Sequence, residues 1–338
     1  MAVSSLFGFP SAYEAKQLFN DSDFSNGFSV LSQEAVNNNS VKIGTFSYNG
    51  STVPPSWMIA QWDSGACLWA DRAESDAFTI TDGISKTVRY NPDDRSVSMR
   101  LNAANIYNGS PAGEYNWPHL LLEQSPIADY HNLPESEKAF YNCSADKMVL
   151  SLDIKISDFT DTTNSDGINA CQYLAYFYLK GTNDKDFIWF GINLFDNRGY
   201  CDTYWALDKA SNNMIYCVST KDTFGGKNKS LFRNGSPYVS DEWIHVELDL
   251  APHIAKAIKK ANESNTFGRK VSENDFYIGG TNIGFEIHGN YDCTVDIKDF
   301  RLTSYNIKRS WFQLLFYILT PASRRAFFSP SISVFEWQ

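Results

Sequence analysis

Two carboxylic acids and a histidine stand where alternating segments aim them at one side of a sheet. In PHLLLE (118–123), His119 and Glu123 share a face, and in NIGFEIH (282–288), Glu286 and His288 share one. A pair of carboxyl groups from different strands, about 5–10 Å apart, is the apparatus of acid/base cleavage of a glycosidic bond. Glu123, His119 and Glu286 are therefore the catalytic candidates. Around them the same alternation places Trp117, Tyr176, Tyr178, Trp189, Asn193, His245, Glu247 and His288 on strand faces turned away from a core. These are ligand-binding candidates, because same-face side chains on neighbouring strands come within contact range. Rings stack on the C–H faces of a sugar, while amides and carboxylates take its hydroxyls. Trp189 and Tyr178 are expected to line a solvent-accessible concave groove, with Glu123 and His119 within reach.

Other chemistries find little support. No G-x-S-x-G elbow occurs, and Gly225-Gly226 and Gly279-Gly280 lack the Lys-Ser/Thr of a phosphate loop. The loop DFTDTTNSDG (158–167) offers Asp158, Asp161, Asn164 and Asp166, but the bidentate acid of an EF-hand is replaced by Tyr173. It reads as a polar turn, with structural calcium as the other reading; no metal site or cofactor is expected otherwise. Six cysteines (67, 143, 171, 201, 217 and 293) form no C-x-x-C pair and read as scattered buried thiols, with room for a disulfide or two.

The elements that must carry these residues alternate with period two. VLSLDIKI (149–156) buries Leu150, Leu152, Ile154 and Ile156. YLAYFYLK (173–180) turns Ala175, Phe177 and Leu179 inward, and FIWFGINLF (187–195) does so with Ile188, Phe190, Ile192 and Leu194. WIHVELDL (243–250) and NIGFEIH follow the same rule, and TVDIKDFRL (294–302) is a last strand with a bulge near Asp299. Earlier strands fall at 57–62, 86–90, 96–101 and 118–123, between turn pairs such as Asn49-Gly50 and Asp82-Gly83. PHIAKAIKKANE (252–263) is the one clear helix, and weaker helical patterns lie near 12–19 and 134–140. Many strands without βαβ alternation predict an all-β, antiparallel jelly-roll β-sandwich with one short late helix.

The chain has 338 residues, 15% of them aromatic, and a formal net charge of −10. An acidic body excludes non-specific nucleic-acid binding, and no apolar run is long enough for a membrane span. Carbohydrate is the expected partner. The N-terminus lacks the features of a signal peptide, which points to the cytoplasm, or to the outside of the cell if an export signal is missing. Residues 1–305 read as one domain. The segment 306–338 is an atypical tail in which Lys308, Arg309, Arg324 and Arg325 face the single acid Glu336.

The strand pattern, the late helix and the closing segment YIGGTNIGFEIHGNYDCTVDIKDFRLTSY (277–305) resemble the concanavalin A-like jelly-roll superfamily of lectins and glucanases. The resemblance covers about residues 20–305 and implies that fold. The E-x-D signature of its laminarinase-type enzymes is matched only by Glu247 and Asp249, since Ala251 and Pro252 stand at the third position. Jelly-roll lyases imply a Tyr or His base beside a cation. His119, Tyr176, Tyr178, Arg100 and Asn193 supply the types without the lyase motifs. The sequence favours a lectin-like binder of poly- or oligosaccharide. Glycoside hydrolase or polysaccharide lyase is the alternative, and an interaction sandwich without a glycan comes third.

Overall fold

In the computed structural model the central strands differ in how they are buried. The strand Lys147–Asp161 (β10) hides every second residue and leaves the rest half-exposed, as one solvated face requires. The strand Ala170–Gly181 (β11) is buried on both faces over most of its length. One sheet thus has a wet outer surface and the other an outer surface that is itself packed.

The structure describes residues 13–33, 41–48, 52–62, 66–68, 73–107, 117–164, 169–199, 202–225 and 230–307. Within them, eight strands form the first sheet. Its order is Ile244–Asp249 (β17), β10, Tyr291–Ile307 (β19), Ser96–Asn102 (β8), Lys86–Asn91 (β7), Thr79–Thr81 (β6) and Ala73–Asp76 (β5). Tyr13–Gln17 (β1) pairs with β19 beside this path. The second sheet has nine strands. They run Tyr204–Asp208 (β13), Asn213–Val218 (β14), Phe187–Asp196 (β12), β11, Phe276–His288 (β18), His119–Gln124 (β9), Trp57–Ala60 (β4), Phe28–Leu31 (β2) and Lys42–Phe46 (β3). A short ribbon joins Phe232–Arg233 (β15) to Ser236–Pro237 (β16). Most pairings are antiparallel, and the two sheets stack as a jelly-roll β-sandwich. Ala15–Tyr305 form one unit, and the chain ends are grouped apart from it. Apart from 13–14 and 306–307 those ends, including most of the 306–338 tail, lie outside the described residues.

The core is the meeting of the two inward rows. Phe177 of β11 stacks on Phe300 of β19 at 6.5 Å, and the Tyr173 hydroxyl reaches Met99 Sδ of β8 at 3.2 Å. The alternation read for β10, β11, β12 and β18 holds, and so do Ile244, Val246 and Leu250 around β17. The bulge also falls where expected: Asp299 adopts φ 54°, and the β10–β19 register slips there, between the pairs Ser151–Arg301 and Asp153–Lys298. Helix Ala251–Glu263 (α4) buries Ile254, Ala257, Ile258 and Ala261 on one side. Three shorter helices accompany it: Ala103–Tyr107 (α1), Glu135–Tyr141 (α2) and Thr220–Phe224 (α3). The helical pattern near 12–19 is overturned. Tyr13–Gln17 is a strand, because the free edge of β19 offers a ladder that outweighs the local propensity of five residues.

Trp57 ties the N-terminal segment into this core. It is fully buried, its indole N–H donates to Asp21 O at 2.9 Å, and its ring meets Phe24 at 5.1 Å and Phe300 at 5.5 Å. Trp57→Ala is expected to destabilise the fold by about 3–5 kcal/mol, read as a lower urea midpoint with an unchanged slope.

Candidate active site

The packed outer surface of the nine-stranded sheet gathers most of the residues singled out above. In register across it stand Tyr178 opposite Trp189, Tyr176 opposite Gly191 and Asn282, Asn282 opposite Glu123, and Glu286 opposite His119. The tyrosine rings lie flat because their neighbours are glycines. A Cβ on Gly280 would sit 2.7 Å from the Tyr178 ring, and one on Gly191 would sit 2.7 Å from the Tyr176 ring. Laid over Gly280, Tyr178 donates its hydroxyl to Glu123 Oε1 at 2.8 Å. Trp189 meets Tyr178 edge-on at 5.1 Å and donates its indole N–H to Ser211 Oγ at 2.9 Å. Trp189 is thus on this face rather than between the sheets, but only half-exposed, closer to a wall than to an open platform.

Asp208 lies at the end of the edge strand β13, four strand spacings from β18, or about 19 Å across a flat sheet. Its charge nevertheless reaches Glu286 and His119, so the sheet curls β13 over the face. Tyr204 of β13 likewise reaches the Tyr176 hydroxyl of β11. Burial, helped by the Glu286 charge, pushes the Tyr176 phenol well above the usual range, so it stays a neutral donor.

Two carboxyl groups here are pushed toward the neutral acid form. Burial lifts Glu123 to about 6, against the opposing hydrogen bonds from Tyr178 and Asn282. Burial first, and the Asp208 charge second, lift Glu286 to about 7. His119 moves the other way: burial lowers it to about 4, so the imidazole is neutral at pH 7. Its Nε2 is 3.7 Å from Glu286 Oε1, beyond hydrogen-bond range. Glu123 and Glu286 are not an opposed pair. They sit on adjacent strands but four residues apart in register, about 14 Å between backbones. Asp208 is the carboxylate whose charge meets Glu286.

Among the described residues, several buried polar atoms on this face have no hydrogen-bond partner: both amide atoms of Asn193, Asn282 Oδ1 and Trp62 Nε1. Groups left so cost about 1–3 kcal/mol each. The Trp62 indole lies 5.7 Å from His119, and Trp117 packs on His288 at 5.0 Å at the end of the same strands.

Two candidates are elsewhere. His245 and Glu247 belong to β17, in the first sheet, where His245 Nδ1 contacts Asp153 at 2.7 Å. Alternation set their face correctly, but sheet membership is not a local property. Arg100 also lies in the first sheet, bound bidentately by Asp292 at 2.9 and 2.6 Å. Of the acidic loop, Asp166 lies outside the described residues, and no metal-binding cluster occurs among the described ones. Cysteines 143, 171, 217 and 293 are buried and Cys67 is half-buried, and Cys201 lies outside the described residues. No described helix is long and apolar enough to cross a membrane. Asn282, Trp62, Tyr204 and Asp208 were missed. Asn282 was legible, since it alternates with Glu286 in one strand, whereas Asp208 joins the face only through the curl.

Solved structures share this sandwich. An endoglucanase, cel12A from Rhodothermus marinus, is 10% identical, covering 71% of this chain and 89% of its own, with a TM-score of 0.36. A family 12 xyloglucanase from Bacillus licheniformis in complex with ligand is 13% identical over 70% and 90%, at 0.36. The xyloglucanase domain of NopAA, a type three effector from Sinorhizobium fredii in complex with cellobiose, is 9% identical over 73% and 98%, at 0.34. No protein-family profile matches the chain, and no curated protein matches it. At these values the similarity is one of fold.

Tyr178 provides a test of the carboxyl environment. Tyr178→Phe removes a donor that favours ionised Glu123, so Glu123 should titrate above about 6. Stability should fall by about 1–3 kcal/mol at pH 8 and by less at pH 4.5, where Glu123 is protonated in both proteins. Denaturant titrations at the two pH values read the difference.

Proposed function

We propose that this protein hydrolyses an uncharged polysaccharide, with Glu286 as the proton donor. The observation that carries the reading is a mostly buried carboxyl group, Glu286, raised by that burial to about 7, on a ring-lined face within reach of a second acid. A group with a pKa near the working pH is the effective acid for protonating a glycosidic oxygen. Burial, with the Asp208 charge second, favours the acid form of Glu286, and that charge stabilises the positive charge that develops on the sugar as the bond breaks. Trp189 and Tyr178 supply ring surface, with Tyr176, Asn193 and Asn282 buried beside them.

An uncharged substrate follows from the charges. The Asp208 charge beside the neutral acid Glu286 would repel a uronate polymer, and Lys180 lies beyond Tyr178 at the end of the outward row, over Gly279. The lyase alternative needs a cation at the reacting centre, and Arg100 is engaged with Asp292 on the other sheet.

The test is incubation with neutral glucans, xylans and mannans and with polyuronates, scoring reducing ends, unsaturated ends and retained binding. New reducing ends from a neutral polymer, without unsaturated products, are the expected result. Unsaturated ends from a polyuronate, or binding without any product, would overturn the reading.

A further inference from the structure

Lys86 of β7 is fully buried, yet its ammonium has no carboxylate within bonding distance among its hydrogen-bond partners. It donates to Gln61 Oε1 at 3.0 Å and to Ala66 O at 2.6 Å. A Met would fill similar space without the cost of desolvating a charge, so a lysine here requires a reason.

Its contacts lead to the active face. Gln61, fully buried as well, uses every group it has. Its Nε2 donates to Leu31 O at 2.9 Å and to Cys67 Sγ at 3.7 Å, and its Oε1 accepts Leu68 N–H at 2.8 Å beside Lys86. Lys86 and Gln61 therefore fasten the end of β4 and the segment 66–68 to the opposite sheet. The next residue, Trp62, accepts the His119 N–H at 3.0 Å, and its indole lies against the imidazole. His119 in turn faces Glu286.

We propose that Lys86 is a positioning residue for Glu286: through Gln61 its ammonium fixes the Trp62–His119 wall against which the Glu286 carboxyl lies. The proposal rests on the hydrolase reading for its consequence and on the contacts above for its geometry. Among the described residues, the charged and titratable groups facing His119 are Glu286, Asp208 and Lys86. Those facing Lys86 are Cys67 and Asp82, and the Asp82 carboxylate is already occupied by the backbone N–H groups of Ile84, Ser85 and Lys86. The signs agree. A positive charge near His119 disfavours imidazolium; imidazolium beside Glu286 would favour carboxylate; carboxylate cannot donate the proton. Burial lowers Lys86 itself to about 7, so the ammonium is present over the acidic range in which Glu286 carries its proton.

The experiment is an NMR titration of the His119 imidazole in wild type, Lys86→Met and Gln61→Glu, with Tm measured for each. Gln61→Glu retains the lysine but sets a carboxylate against it, so it reads the same field if Lys86→Met fails to fold. The His119 midpoint should rise from about 4, by about 0.5–1.5 pH units in both variants, as expected for one charge acting at intermediate dielectric. A folded variant with a lowered Tm and an unmoved His119 titration would reduce Lys86 to a structural lysine and overturn the proposal. The His119 readout needs no substrate, so an inactive wild type would refute the hydrolase reading separately.

Discussion

Glu286→Gln should lower kcat on a neutral polysaccharide by about 10²–10⁴-fold, the usual contribution of a positioned general acid, while leaving binding of the polymer close to wild type. The same substitution should stabilise the folded protein at alkaline pH. Glu286 titrates near 7 in the native state against 4.5 for the ordinary group. A raised carboxyl pKa means that the native state holds its proton more tightly than the unfolded chain does. Stability is therefore undiminished below about pH 4.5 and falls as pH rises through 7. The loss amounts to about 3 kcal/mol above pH 7. Gln carries no such penalty, so the variant should match wild type at pH 4 and exceed it by that amount at pH 8. Denaturant midpoints at the two pH values check the stability, and reducing-end assays check the rate. His119 acts in the opposite sense between pH 4 and 6.5, because its native pKa is depressed, and that slope should survive in the variant.

Gly284→Ala should damage both fold and site. Gly284 holds φ +155° in the middle of β18, and a Cβ there would lie 2.1 Å from Leu120 O and 2.9 Å from Leu121 Cα of β9. Both obstacles are backbone, so no side chain can swing aside. The residue pairs with Leu121, midway between the pairs Asn282–Glu123 and Glu286–His119. To admit a methyl group, β18 and β9 must separate at the point that sets those four side chains. We expect a loss of about 3 kcal/mol or more, with Tm falling by about 5–10 °C. Hydrolysis should drop about 10–100-fold in material that remains folded, because small misplacements of reacting groups are costly. Thermal unfolding and kcat/KM at a temperature well below the variant's Tm measure the two effects. Unchanged values would mean that the β18–β9 register does not hold the site.

The legible part of this molecule was the direction each strand faces. Rows such as Leu150, Leu152, Ile154 and Ile156 alternate because one side of their sheet is wet. The rows of β11 and β12 were readable because Tyr176, Tyr178, Trp189 and Asn193 stand out against the Ala, Phe and Ile of the core side. Three things were not local enough to read. Sheet membership placed His245 and Glu247 in the first sheet, although their face was correctly assigned. A neighbour's free edge turned Tyr13–Gln17 into a strand. The curl of the second sheet brought Asp208 to Glu286 across three intervening strands. Lys86 lies between these cases: it falls in the inward row of Lys86, Val88 and Tyr90, and a lysine on a core face is a visible anomaly whose partners only the fold supplies.

The most direct test of the central claim is the pH dependence of kcat/KM for hydrolysis of a neutral polysaccharide, since it reports the essential groups of the free enzyme. With Glu286 as the acid, activity should fall on the alkaline side with a midpoint near 7. A rate that stays level from pH 6 to 9, or one that rises through that range, would contradict it, because a deprotonated Glu286 has no proton to give.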